Sequence, residues 1–319
     1  MEWITPMEPI SSGSIMTGPE WIYQIKWAGI RGLVYYQEDS SPSGIKIYTK
    51  SGSDRTAFYP ELHHIKNLIA GSSAILDGEI VVPGDDGKPV FHLSLTRERV
   101  RNPDRLSYYC SKYPVIYIVF DILYLNGNSL TGLPLARRRE ILCNSVKAEA
   151  NIGLAESYKD GPGLFDLMKR KGWEGIVSKK LDSSYLPGKK HNDWFKHKAL
   201  KKLLAAVCGI QLKDGFPNSL ILGIYRDNQW IYIGRASLGL TQDDLRRLKE
   251  YSQMSSPVCP FSSANEWKGK NVAWLNPTLT CWVKFLEWTN DGLLRHPALL
   301  GFAASHWSEA DGREWSADE

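Results

Sequence analysis

Lys26-Trp27-Ala28-Gly29-Ile30-Arg31 follows directly on the apolar run Trp21-Ile22-Tyr23-Gln24-Ile25, and its reading decides the architecture of the first two-thirds of the chain. Trp21 to Lys26 reads as a strand that delivers an amine to its end. A lysine there can be a nucleophile, a glycine lets a phosphate approach the backbone, and an arginine supplies a fixed cationic fork for it. Taken alone, a lysine at a strand end is more often a solvated surface charge, so the segments downstream have to decide.

Working outward, strand-like and helix-like segments alternate. Gly32–Gln37 and Ile45–Thr49 read as strands joined by turn chemistry at Ser41-Pro42-Ser43-Gly44. Pro60–Ile69 reads as a short helix opened by proline. Ala74–Val82 is a strand closed by Pro83-Gly84-Asp85-Asp86-Gly87, and Pro114–Tyr124 is a strongly apolar strand ended by Asn126-Gly127-Asn128. Pro134–Val146 reads as an amphipathic helix with Arg137-Arg138-Arg139 on a basic face, and Gly163–Arg170 as another helix. Glu174–Lys179 and Asp193–Lys198 are short strands. Composition shifts at Ala199-Leu200-Lys201-Lys202, which divides the chain into a domain over 1–199 and a second over 200–319. Beyond the shift, Leu204–Leu212, Ser219–Tyr225, Trp230–Ile233 and Thr278–Trp288 alternate, with a helix near Gln242–Tyr251. That density suggests a small Greek-key barrel such as an OB fold, with a generic small barrel or sandwich as the competing architecture. The tail, Glu309–Glu319, reads as frayed.

Composition narrows the class. With 43% hydrophobic and 23% charged residues the chain is not of the disordered type. A formal net charge of only +4 means that nucleic-acid binding would need a local basic surface. Five scattered cysteines, without paired metal-ligand spacing, point to a reducing compartment and no structural zinc. The start of the chain lacks a basic segment followed by an apolar run, and no stretch is apolar for long enough to span a bilayer. Core packing is the commoner use of the twelve tryptophans, with base stacking a use for a few.

Read forward from Lys26, four more segments recur at strand ends: Asp77-Gly78-Glu79, Phe120-Asp121, Glu174-Gly175-Ile176-Val177 and Trp194-Phe195-Lys196-His197-Lys198. Each has an ordinary reading by itself, as turn, core or solvated face. Together and in this order they resemble the covalent nucleotidyltransferase superfamily of ATP-dependent DNA ligases, RNA ligases and mRNA capping enzymes. Lys26 to Arg31 resembles motif I, with Ala28 where aspartate is usual; Lys50-Ser51-Gly52 resembles motif Ia, with Lys50 where arginine is usual. Asp77-Gly78-Glu79 is similar to motif III, Phe120-Asp121 to motif IIIa, Glu174-Gly175 to motif IV, and Lys196 with Lys198 to motif V. Trp282-Val283-Lys284-Phe285, Glu287-Trp288-Thr289 and Leu294-Arg295-His296-Pro297 are similar to the C-terminal domain of bacterial ligases of the ligase D type. Without a polymerase or nuclease module, the chain looks like a free-standing minimal ligase.

The resemblance implies an α+β fold: a nucleotidyltransferase (adenylation) domain of antiparallel sheets with helices, then an OB-fold β-barrel. It implies ATP and Mg2+ (or Mn2+) as cofactors. Lys26 would be the catalytic nucleophile that carries AMP. Gln24, Ile25, Arg31, Glu79, Phe120, Ile176 (or Val177), Lys196 and Lys198 would bind ATP or AMP, with Phe120 stacked on adenine and Glu79 on the ribose. Glu174 and Glu79 would be the metal carboxylates, and Lys50 and Arg31 would touch DNA. The implied partners are nicked or broken duplex DNA and a Ku-type end-binding protein; no membrane is implied. The implied protein is a monomer, cytoplasmic and nucleoid-associated, encoded by a bacterium or phage. Two alternatives stay open: an RNA ligase or capping-type enzyme, and a non-catalytic OB-fold binder with a decayed ligase domain. The second draws on Ala28 and on Ala303-Ala304-Ser305-His306, which stands where motif VI has its basic residues. In an active ligase, that same departure in motif VI would make adenylation slow, or have it use Arg295, His306 or Arg313.

Overall fold

Along Leu33-Val34-Tyr35-Tyr36, successive side chains enter two different cores: Leu33 and Tyr35 pack with Met7, Ile75, Leu123 and Trp194, while Val34 and Tyr36 pack with Ile47, Leu76, Val119 and Ile122. A strand alternates its faces with period two, so a run apolar at every position belongs to a sheet covered on both sides. A computed structural model describes all residues except 39–43, 254–257, 263–266, 268–269, 290 and 318–319. The turn expected at Ser41 to Ser43 lies outside the described residues. Two compact units emerge, Met1–Lys198 and Ala199–Glu319.

The first unit runs β1 (Glu8–Ser11), β2 (Trp21–Ile25), β3 (Ile30–Gln37), β4 (Ile45–Thr49), β5 (Ser73–Val81), α1 (Phe91–Glu98), α2 (Leu106–Lys112), β6 (Ile116–Leu125), β7 (Asn128–Ser129), α3 (Leu135–Ser145), β8 (Ile152–Leu154), α4 (Gly161–Lys171), β9 (Gly175–Lys180) and β10 (Lys190–Lys198). One sheet has the order β4-β3-β5-β6-β7, with β8 parallel to β6. The other has the order β1-β10-β9-β2, antiparallel except that β1 lies parallel to β10. Helix α4 covers the second sheet, burying Leu164 and Met168 against Tyr23 and Ile176.

The second unit runs β11 (Lys201–Lys213), β12 (Phe216–Arg226), β13 (Gln229–Ala236), α5 (Gln242–Ser252), β14 (Val272–Trp274), β15 (Thr280–Phe285), β16 (Ala298–Ala303) and β17 (Glu314–Ser316). Its strands follow the order β13-β12-β11-β15-β16, with β14 and β17 also on β11. Register shifts at Val207/Gly209 and Gln211/Leu212 bend the long β11, so that one strand serves four partners. Asp214-Gly215 (φ 52° and 78°) and Asp227-Asn228 (φ 53° and 59°) supply the left-handed turns that a tight hairpin needs. A single bridge between Leu238 and Ala298 brings the sheet's two edges together. The architecture is OB-like, and the edges meet at that bridge rather than along a continuous ladder.

Pro60–Leu68 is the short proline-opened helix expected there, in 3₁₀ form. Four expectations need correcting. Asp77-Gly78-Glu79 and Phe120-Asp121 stand inside β5 and β6, not at strand ends. Helices α1 and α2 have no counterpart in the sequence reading, because the residues α1 buries are Ser94 and Arg97 and it carries no apolar stripe. The tail is not frayed throughout: Glu314–Ser316 pairs with β11, and the Trp315 ring packs edge-on to Trp282 at 5.2 Å. The middle of Arg137-Arg138-Arg139 is not on a solvated face. Arg138 is fully buried, donating to both carboxylate oxygens of Asp121 at 2.8 and 2.9 Å and to the carbonyls of Leu133 and Ser183. Among the described residues no helix is long and apolar enough to cross a membrane.

Candidate active site

Glycine chemistry sets the floor of the site. Gly175 has φ 133°, and a Cβ there would stand 2.0 Å from the His197 carbonyl oxygen, so β9 and β10 approach this closely only with glycine at that position. The Gly175 carbonyl accepts the Lys26 backbone N–H at 2.9 Å. Lys26 and Glu174 are thereby brought side by side: Lys26 Nζ lies 2.7 Å from Glu174 Oε1, and Lys198 Nζ lies 3.8 Å from the same oxygen. Packing also requires glycine at position 29, since a Cβ there would meet the Ile80 carbonyl at 2.3 Å. Ala28, where the motif has aspartate, is buried.

These residues open on a cleft of about 240 Å³, to which both sheets of the first unit contribute. Strands β9 and β10 each present alternate residues to it, Val177 and Lys179 from one, and Trp194, Lys196 and Lys198 from the other. Ile176 is corrected by this phase: it is fully buried against α4 with Tyr23, and Val177 takes the cleft position. Gln24 and Ile25 line the cleft from β2, with Gln24 Nε2 donating to Ser157 Oγ at 3.0 Å.

Arg31 is held rigidly. Its Nε and Nη2 each donate to one oxygen of the fully buried Asp77 at 2.5 Å, and Nη2 also donates to the Met7 carbonyl. Burial works to lower the Arg31 pKa, but Asp77 outweighs it and the guanidinium stays charged. Tyr185 donates a third hydrogen bond to Asp77 at 2.6 Å. Phe120 lines the cleft with two cations against its ring, Arg31 at 4.6 Å and Lys179 at 4.3 Å from the centroid.

Glu79 and Lys196 feel this crowding. Burial pushes the Glu79 carboxyl up to about 7, against the pull of Arg31 and Lys26 and with the push of Glu174 and Asp77. Lys196 is held below the usual lysine value by burial and by the charge of Lys26, with Glu8 working the other way. Glu79 therefore binds its proton more tightly in the folded than in the unfolded chain. Its contribution to stability is complete below its ordinary value of 4.5 and is lost as pH rises through about 7. Glu79→Gln is expected to remove about 2 kcal/mol of that pH dependence, less than the whole shift because the carboxyl borders an open cleft. Urea melts of both proteins from pH 4 to 8 check this, and parallel pH profiles would refute it.

Lys50 lies at the cleft's mouth, 2.6 Å from Glu8 Oε2. Among the described residues, no group of three or more His, Cys, Asp or Glu side chains converges as a metal cage. In the second unit, Arg295 pairs with Glu287 at 2.5 Å, His306 caps a 3₁₀ turn over Trp307–Glu309, and the Arg313 guanidinium lies 5.2 Å from the Trp315 ring centroid.

Comparison with known proteins adds to this geometry. Residues 7–198 match the family described as the ATP dependent DNA ligase domain, and residues 213–304 match the ATP dependent DNA ligase C terminal region. The chain belongs to the ATP-dependent DNA ligase family. This ligase-family chain is 29% identical over 290 residues to the multifunctional non-homologous end joining DNA repair protein LigD of Mycobacterium tuberculosis, covering 88% of itself and 36% of that protein. It is 28% identical over 255 residues to DNA ligase C1 of Mycolicibacterium smegmatis, covering 77% and 72%. The crystal structure of the ligase domain from M. tuberculosis LigD is similar, with TM-score 0.52, 27% identity, and 96% and 97% of the two chains covered. The chain spans about a third of the length of the mycobacterial LigD proteins that it matches.

Several residues of this ligase-family cleft escaped the sequence reading. Lys179 is 3% exposed, its Nζ has no hydrogen-bond partner, and it lies between the rings of Phe120 and Trp194 at 4.3 and 4.2 Å. Burial lowers its pKa to about 7, with Arg31 and Arg138 pushing the same way and Asp121 and Asp77 opposing. The signal was available, since Lys179 is two residues beyond Val177 on an alternating strand. Glu8 carried no such signal.

Proposed function

We propose that this chain seals breaks in duplex DNA with ATP, through an adenylate carried on Lys26. The observation that carries the reading is the pairing of Lys26 with Glu174 and Lys198 inside a cleft lined by Glu79, Phe120 and Lys196. An amine attacks phosphorus only once it has lost its proton. Lys26 Nζ then forms a bond to the α-phosphorus of ATP, and the bond from that phosphorus to the pyrophosphate oxygen breaks. The adenylyl group next passes to a 5′-phosphate oxygen on DNA, returning the lysine as an amine. A 3′-hydroxyl displaces AMP from that phosphate, losing its proton as the phosphodiester forms.

Negative charge gathers at phosphorus in each step, so fixed cations dominate the contribution of the protein. Lys196 and Lys198 supply them from one strand face, and Arg31 is held in place by Asp77. Phe120 and Val177 would flank the base, Glu79 the ribose, and the backbone of Gln24 and Ile25 the base edge. Glu174 and Glu79 suit a magnesium or manganese ion in the way such ions are held beside nucleotides, through one or two carboxylates with phosphate and water completing the shell. That ion would neutralise phosphate charge.

Broken ends as the natural substrate belong to the same proposal, supported by likeness to the non-homologous end joining proteins; a Ku-type partner, a monomeric state and a cytoplasmic, nucleoid-associated place are proposed with it. Incubation with labelled ATP or GTP, followed by nicked DNA or nicked RNA, tests it. Transfer from ATP to DNA is expected, and labelling from GTP alone would overturn it. We further propose that self-adenylation is slow, because Arg295 and His306 are committed to local partners and Arg313 rests on Trp315. His306→Ala and Arg313→Ala are each expected to adenylate within about threefold of the parent in single-turnover labelling. A loss beyond tenfold in either would show that this side chain has taken over the pyrophosphate role.

A further inference from the structure

Glu8 projects from β1 at the mouth of the cleft, where that strand runs beside β10. Its Oε2 lies 2.6 Å from Lys50 Nζ, and Lys190 and Lys196 act on its charge as well. Burial works to raise the Glu8 pKa, but the Lys50 hydrogen bond and the three lysine charges outweigh it and hold the carboxyl below its ordinary value. Lys26, which is paired with Glu174, adds its charge to Lys196 from inside the cleft. Three lysines around one carboxylate leave a surplus of positive charge, which an anion of higher charge would neutralise better.

We propose that Glu8 is a resident counter-anion, seated where the terminal phosphate of a DNA strand docks, and that it makes the mouth selective for phosphorylated over hydroxyl ends. A dianionic phosphate takes over Lys50 and its neighbours, so displacing the carboxylate costs little. A hydroxyl end must expel the carboxylate and offers no charge in exchange. The exchange is accessible because the Lys50 and Glu8 side chains are 54% and 26% exposed, and ion pairs as wet as this add little to stability. This inference rests on the DNA-sealing reading above.

Fluorescence anisotropy on the full chain in a Lys26→Ala background, which cannot carry AMP, tests it. The probes are intact duplex and duplexes nicked with a 5′-phosphate or a 5′-hydroxyl, and Glu140→Gln on α3 controls for net charge. Glu8→Gln is expected to tighten binding of the hydroxyl nick by about fivefold and of the phosphate nick by less than about twofold, narrowing the preference. Adding Lys50→Ala is expected to cancel that change. An unchanged or widened preference in Glu8→Gln overturns the role of Glu8 while nick-selective binding by the parent still stands. Equal binding of nicked and intact duplex by the parent would overturn the sealing reading and this inference together.

Discussion

Lys26→Ala is expected to leave the protein without detectable adenylate after incubation with ATP, a loss of at least about a thousandfold. The nitrogen is the nucleophile, and a methyl group has no electron pair to replace it. Lys196 and Lys198 line the same cleft, but the Lys26 Nζ is the one seated at 2.7 Å from Glu174. Intact-protein mass spectrometry before and after ATP reads the gain of one adenylate directly. Glu174→Gln sharpens the test: it keeps the side-chain shape and removes the charge shared by Lys26 and Lys198. It should still label, at a rate lower by about tenfold to a hundredfold, because only positioning and charge are lost. Labelling of Lys26→Ala at the parent rate would move the chemistry to another residue and dismantle the proposed mechanism.

Asp121→Ala is expected to destabilise the first unit by about 3–5 kcal/mol, the largest effect on folding among the changes considered. Asp121 and Arg138 are both fully buried, and the guanidinium spends its donors on that carboxylate and on two carbonyls. Removing the carboxylate leaves a cation with no water and no counter-charge. The double change Asp121→Asn with Arg138→Met should recover much of the loss, because a neutral pair of similar volume leaves no unpaired charge in the core. Urea denaturation of single and double variants measures both numbers. A double variant as unstable as the sum of the singles would mean that the pair matters for shape rather than charge. Nucleotide binding should track stability in this series, since Phe120 is the residue next to Asp121.

The order of the motifs was legible because they are written in glycine and charge, although Asp77-Gly78-Glu79 and Phe120-Asp121 stand inside β5 and β6 and not at the strand ends expected for them. Lys26, Glu79, Glu174, Lys196 and Lys198 could be picked out before any coordinates, and the structure brings all five to one cleft. What the pattern withheld was phase and partner. Whether Ile176 or Val177 faces the cleft depends on which side of β9 is covered by α4, and the local sequence is apolar at both. Arg138 sits in a run of three arginines, and its burial depends on Asp121, seventeen residues away in sequence and a direct partner in space. Helix α1 was invisible because it buries an arginine and a serine. Gly29 was read for phosphate approach alone and Gly175 only as part of a motif, and the crowding that both relieve comes from carbonyls of β5 and β10.

The parallel pairing of β1 with β10 joins Glu8–Ser11 to residues 190–196, nearly the full length of the first unit apart. During synthesis the amino-terminal strand must therefore wait on the ribosome until almost two hundred residues have been made before it can find its neighbour. Nucleotide recognition and the phosphate gate at its rim would mature together, and late. A nascent or truncated fragment that stops short of β10 would have no finished pocket in which to trap ATP.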